Sequence, residues 1–127
     1  MSRITLICLS TLLISLALVG GACAKLPVGS QEQGQQVAEE FVKMEATFRF
    51  DGIQETLKLT SNTSVANGWK YTLEFDSRHS GYGNRTGQIL AQVITHHAAV
   101  VTVQSGKVTS ALMDDKWDMV KGQELHP

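Results

Sequence analysis

Three histidines and the acids near them are the side chains of this sequence best suited to chemistry. His79, His96 and His97 could join Asp76 or Asp114 in a zinc or copper site, because imidazole and carboxylate are ordinary ligands for those ions. Adjacent residues of a strand point to opposite faces, so His96 and His97 can share one ion only across a bend or bulge. No H-x-H or H-E-x-x-H spacing occurs. Histidines partly exposed at a strand end are therefore the expected state, with metal binding by His79, His96 and His97 as the alternative. Ser77, Ser80 and His79 hold the ingredients of nucleophilic catalysis, which leaves a hydrolase as a second alternative. No G-x-S-x-G elbow presents a serine on a strand-to-helix turn, however, so the chain reads as a non-enzyme without a cofactor.

Binding chemistry is better represented than catalysis. The segment SRHSGYGNRTG, residues 77–87, has three glycines and no apolar periodicity and reads as a loop. Arg78, His79, Tyr82, Asn84 and Arg85 give it cations, an aromatic ring and an amide, a composition suited to an acidic or glycan-like partner. Its glycines lead into β-prone rather than helical sequence, so the helix N-terminus of a phosphate-binding loop is missing. Asn62 and Asn84 each begin an Asn-x-Ser/Thr glycosylation pattern.

The elements that would position these residues follow from spacing. Ser30 and Gln33 have the separation of a capping box, and Val37, Phe41, Met44 and Phe48 recur at four, three and four residues. A helix over 31–46 is predicted, with that stripe against the core and Ala38 and Val42 widening it. Asp51-Gly52 marks a turn, after which the period becomes two: a strand at 56–60, a tight turn at Asn67-Gly68, then Trp69, Tyr71, Leu73 and Phe75 alternating with polar residues. Residues 88–95 and 98–104 read as β-branched runs on either side of the two histidines. Ser105-Gly106 should join the second to a strand at 107–113, and the polar end from 114 should lie across the domain through Trp117, Met119 and Val120.

Residues 1–24 form an export signal, with Arg3 ahead of an uncharged apolar run and small residues at Ala22-Cys23-Ala24. Cleavage after Ala24 leaves a short lead at 25–29 and one α+β domain at 30–127. Alternatively the leader ends at residue 22 and Cys23 carries a lipid. Both cysteines, Cys8 and Cys23, lie in this region, so the domain has no disulfide and depends on its core. A formal net charge of −1 for the whole chain argues against nucleic-acid binding and against a polybasic membrane surface. Membrane attachment would come only through an uncleaved leader or a lipid on Cys23. The expected setting is the cell envelope or the extracellular space, with an exported partner and no assigned oligomeric state.

One amphipathic helix followed by four or five antiparallel strands packs best with the sheet curled over the helix. That element order resembles the cystatin-like arrangement and small export-associated modules of the PepSY kind. Cystatin inhibitors carry a Gln-x-Val-x-Gly loop where this chain reads SNTSVANGW, so the resemblance does not extend to protease inhibition. Residues 78–97 and 114–119, RHSGYGNRTGQILAQVITHH and DDKWDM, also resemble segments of uncharacterised small exported archaeal proteins. That resemblance implies export and no activity.

Overall fold

The structure, a computed structural model, describes residues 30–126. The predicted export signal, Cys23 and the predicted lead at 25–29 lie outside the described residues. Helix α1 (Gln31–Met44) starts where expected: Ser30 has extended dihedrals and its hydroxyl accepts the Gln33 N–H at 3.2 Å. It ends earlier than the sequence predicts, and a second helix, α2 (Ala46–Asp51), follows at once. Glu45 makes the break. Its backbone is extended (φ −70°, ψ 144°), its N–H closes α1 on the Phe41 and Val42 carbonyls, and its carboxylate caps α2 by accepting the Thr47 N–H at 2.7 Å.

The buried face of α1 is also rotated from the predicted stripe. Gly34, Ala38 and Val42, four apart, face the sheet, while Val37 and Phe41 are only partly buried and Met44 is 68% exposed. Small residues let the helix backbone approach closely. Tyr71 lies beneath Gly34 and donates its hydroxyl to the Gln31 carbonyl at 2.6 Å, and a Cβ at residue 34 would overlap that hydroxyl oxygen. Phe48 belongs to α2 and meets Phe75 edge-on, with ring centroids 5.0 Å apart.

The expected α+β architecture is present: one main helix and an antiparallel sheet. The sheet has six strands, β1 (Lys58–Val65), β2 (Gly68–Ser77), β3 (Thr95–Gln104), β4 (Lys107–Met113), β5 (Trp117–Asp118) and β6 (Gln123–Glu124), each beside its predecessor. There are more strands than expected because the polar end of the chain adds two short ones. Where a strand was predicted at 56–60, a single 3₁₀ turn (Gln54–Thr56) leads into the longer β1. The tight turn is Ala66-Asn67 rather than Asn67-Gly68: Asn67 takes φ 58°, and Gly68 is the first residue of β2, opposite Val65. Ser105 and Gly106 form the predicted β3–β4 turn with φ of 51° and 77°.

Register builds the core in rows. Trp69, Val103 and Val108 form one; Tyr71, Val101 and Ala111 the next; then Leu73, Ala99 and Met113; and Phe75 opposite His97. The predicted alternation of β2 holds throughout. The run at 88–95 does not form a strand, and β3 begins at Thr95 with both histidines inside it. The reason is pairing. Ser77, the last residue of β2, stands opposite Thr95, and β4 ends opposite Ala99, so residues upstream of 95 have no neighbouring strand for their amides and carbonyls. Among the described residues no helix is long and apolar enough to cross a membrane.

Candidate functional site

The glycine-rich loop after β2 is clamped onto α2 by charge. Asp51, the last residue of α2, is buried and receives three donors: Arg85 Nη2 at 2.8 Å on Oδ1, and on Oδ2 the His79 N–H at 2.8 Å and His79 Nδ1 at 2.9 Å. Arg85 is only 3% exposed. Its five N–H groups meet the Gly83 carbonyl (3.1 Å), the His79 and Ser80 carbonyls (3.3 and 2.8 Å), the Thr47 carbonyl (3.3 Å) and Asp51. The guanidinium also lies 4.6 Å from the centre of the Phe50 ring. Burying a charge this deeply is tolerable only because it is paired and every donor is used.

The clamp continues around the end of the sheet. The Gly83 N–H donates to Thr47 Oγ1 at 2.8 Å, with φ 72° at Gly83 and the Trp117 ring 3.1 Å from where a Cβ would stand. Trp117 Nε1 donates to the capping carboxylate of Glu45 at 3.0 Å, and its ring stacks on Tyr82 with 5.7 Å between centroids and 9° between planes. Tyr82 donates to Asp114 Oδ2 at 2.9 Å. That same oxygen lies 2.7 Å from His97 Nδ1, and His97 Nε2 lies 3.1 Å from Ser77 Oγ. Ser77 closes the ring by donating to the His79 carbonyl at 2.8 Å.

Burial opposes ionisation of Asp114, but the Ala98 N–H, His97 and the Tyr82 hydroxyl outweigh it and hold its carboxyl below the usual range. Burial, reinforced by the same carboxylate, pushes the Tyr82 hydroxyl up to about 12.

Ser77, His97 and Asp114 have the connectivity that serine hydrolases use, with Nε2 toward the hydroxyl and Nδ1 toward the carboxylate. One feature separates them from a working nucleophile. Ser77 has no exposed surface, and its hydroxyl also lies 2.8 Å from the His79 carbonyl, a second acceptor. As arranged, the three groups satisfy one another inside the fold and tie β2, β3 and the turn after β4 together.

The predicted binding residues are divided by this arrangement. Arg78 is exposed and, with His79, Gln92 and Ile94, lines a cleft of about 350 Å³. Asn84 is exposed on the other flank, lining a cleft of about 470 Å³ with Ala46, Arg49, Phe50 and Thr86. Tyr82 is packed between His97 and Trp117. Arg85 is turned inward, so the expectation of a surface cation there is corrected: Asp51, 34 residues earlier, draws it into the core.

The three histidines do not converge. His79 is held by Asp51, and His97 faces the helix side of the sheet. His96 faces solvent, where its ring contacts Glu74 at 2.9 Å and Asp76 at 2.8 Å. Glu74 first and Asp76 second raise the His96 pKa, and His96 in turn lowers that of Glu74. Among the described residues no group of three or more His, Cys, Asp or Glu side chains is placed to hold a metal ion.

Sequence reasoning missed Glu45, Thr47 and Asp51, the α2 side of the clamp, because Phe48 reads as a continuation of one helix. The available signal was a Glu-x-Thr cap inside the apolar stripe, at the point where the stripe ceases to be continuous. No protein family matches the chain, no curated protein matches its sequence, and no solved structure matches its fold.

Proposed function

We propose that this chain is an exported, non-catalytic binding domain of the cell envelope or extracellular space, built on a cystatin-like scaffold of one helix against a curved sheet. The observation that carries the reading is the uncharged segment QILAQVI, residues 88–94. Ile89, Val93 and Ile94 are fully to half exposed there, and Ile94 lines a cleft with the exposed Arg78. Exposed aliphatic side chains bordered by polar ones are characteristic of contact sites. The partner this surface suits is an exported protein offering apolar surface to the aliphatic side chains and an acidic group to Arg78. A non-catalytic role is consistent with the full burial of Ser77.

Site-specific photocrosslinking tests the proposal in the producing cells. A photoreactive residue at position 93 should give a discrete adduct outside the cytoplasm that Arg78→Ala weakens, whereas the same group at Lys107, in the β3–β4 turn region, should not. Equal or absent crosslinking at the two positions would refute the reading.

A further inference from the structure

We propose that Asn84 is an acceptor for an N-linked glycan, and that folding shields Asn62, which begins the other acceptor pattern in the described residues. Asn84 is exposed, in irregular backbone, and its neighbour Arg85 is anchored in the clamp. Its Oδ1 accepts both the Thr86 N–H at 3.0 Å and the Thr86 hydroxyl at 2.5 Å. Two donors on the amide oxygen polarise the group, and they hold it by the oxygen while Nδ2 remains available for reaction. The hydroxyl at the third position of the pattern is therefore already seated on the amide it must assist. Asn62 is placed differently. It is partly buried in the middle of β1, opposite Tyr71 of β2, and an enzyme could draw it out only by separating the two strands.

The reaction needs a polyprenyl-phosphate-linked oligosaccharide and a transferase. Asn84 Nδ2 attacks the anomeric carbon of the first sugar, and the N–C bond forms as the bond from that carbon to the phosphate oxygen breaks. The amide proton passes to a base on the transferase, and the polyprenyl phosphate departs. A glycan at Asn84 would stand on the α2 flank. The cleft there shares no lining residue with the Arg78 and Ile94 cleft, so modification leaves the proposed contact surface open.

The test compares folded with urea-unfolded full-length chain, each incubated with an oligosaccharyl transferase and a polyprenyl-phosphate oligosaccharide donor, with glycopeptides mapped by mass spectrometry. The folded-to-unfolded rate ratio should be lower at Asn62 than at Asn84 by about tenfold or more, because the paired strand must open first. Asn84→Gln should remove the product from the folded chain. Thr86→Ala should remove it as well, without changing the circular dichroism spectrum. Failure to modify Asn84, or comparable ratios at the two sites, would overturn the proposal. Because the assay uses purified protein, its outcome is independent of the partner surface.

Discussion

Residues 78–87 and 88–94 are consecutive connectors between β2 and β3, yet the first is anchored to the body of the domain through Arg78, His79, Tyr82, Gly83 and Arg85 and the second is largely exposed. The first is rich in glycine and polar groups, a composition usually associated with loose loops. In the structure it is the more tightly held, through Asp51, Arg85, Thr47 and Asp114. The second is rich in isoleucine, leucine and valine, a composition usually associated with buried strands, and it projects Ile89, Val93 and Ile94 into solvent. The contrast shows that local composition sets what a segment could do, while available partners set what it does. A buried carboxylate can fix a glycine loop, and a β-prone run without an adjacent strand stays irregular.

The largest break in this contrast should come from Arg85→Ala. It leaves the Asp51 carboxylate buried without its cation, so about 3–5 kcal/mol of stability should be lost, measured by urea unfolding. Removing Asp51 as well should recover part of that loss, because no charge would then remain unpaired. If Arg85→Ala unfolds at the wild-type urea concentration, the clamp contributes nothing and the contrast fails.

A smaller effect should appear at the extremes of pH. The Asp114 carboxyl titrates lower in the folded chain than in the unfolded one, so its contribution is present above the ordinary carboxylate range and is lost as pH falls through the folded value. Tyr82 behaves oppositely: its folded pKa is raised from 10.0 to about 12, so its contribution is lost as pH rises across that interval. Tyr82→Phe should remove the alkaline loss and, by taking a donor from Asp114, move the acid loss to higher pH. Melting temperatures measured across the pH range would show both shifts, and an unchanged profile would remove Tyr82 from the anchor.

The smallest effect should come from the unanchored side. Replacing Ile89, Val93 and Ile94 together with serine should change stability by no more than about 0.5 kcal/mol, as expected for side chains that lie mostly in solvent. A loss of several times that size would mean that these side chains are part of the core.

Much of the architecture was legible from short-range pattern. The Ser30 cap, the alternation of β2 from Trp69 to Phe75 and the Ser105-Gly106 turn depend on residues within a few positions of one another, and each stands where spacing places it. The candidate site was legible only in its membership. His79, Tyr82, Asn84 and Arg85 could be picked out, and strand alternation already set His96 and His97 on opposite faces, but the inward turn of Arg85 was not legible.

What the sequence determined by itself was therefore the class of fold: an amphipathic helix and hairpins with one apolar face. Tertiary structure alone decided the docking of Trp117 on Glu45, the burial of His97 and the pairing of Arg85 with Asp51. Those features join groups between 17 and 72 residues apart in the chain. Their energy arises only when the sheet and helices bring the groups together and exclude water, so no local pattern of residues can encode it.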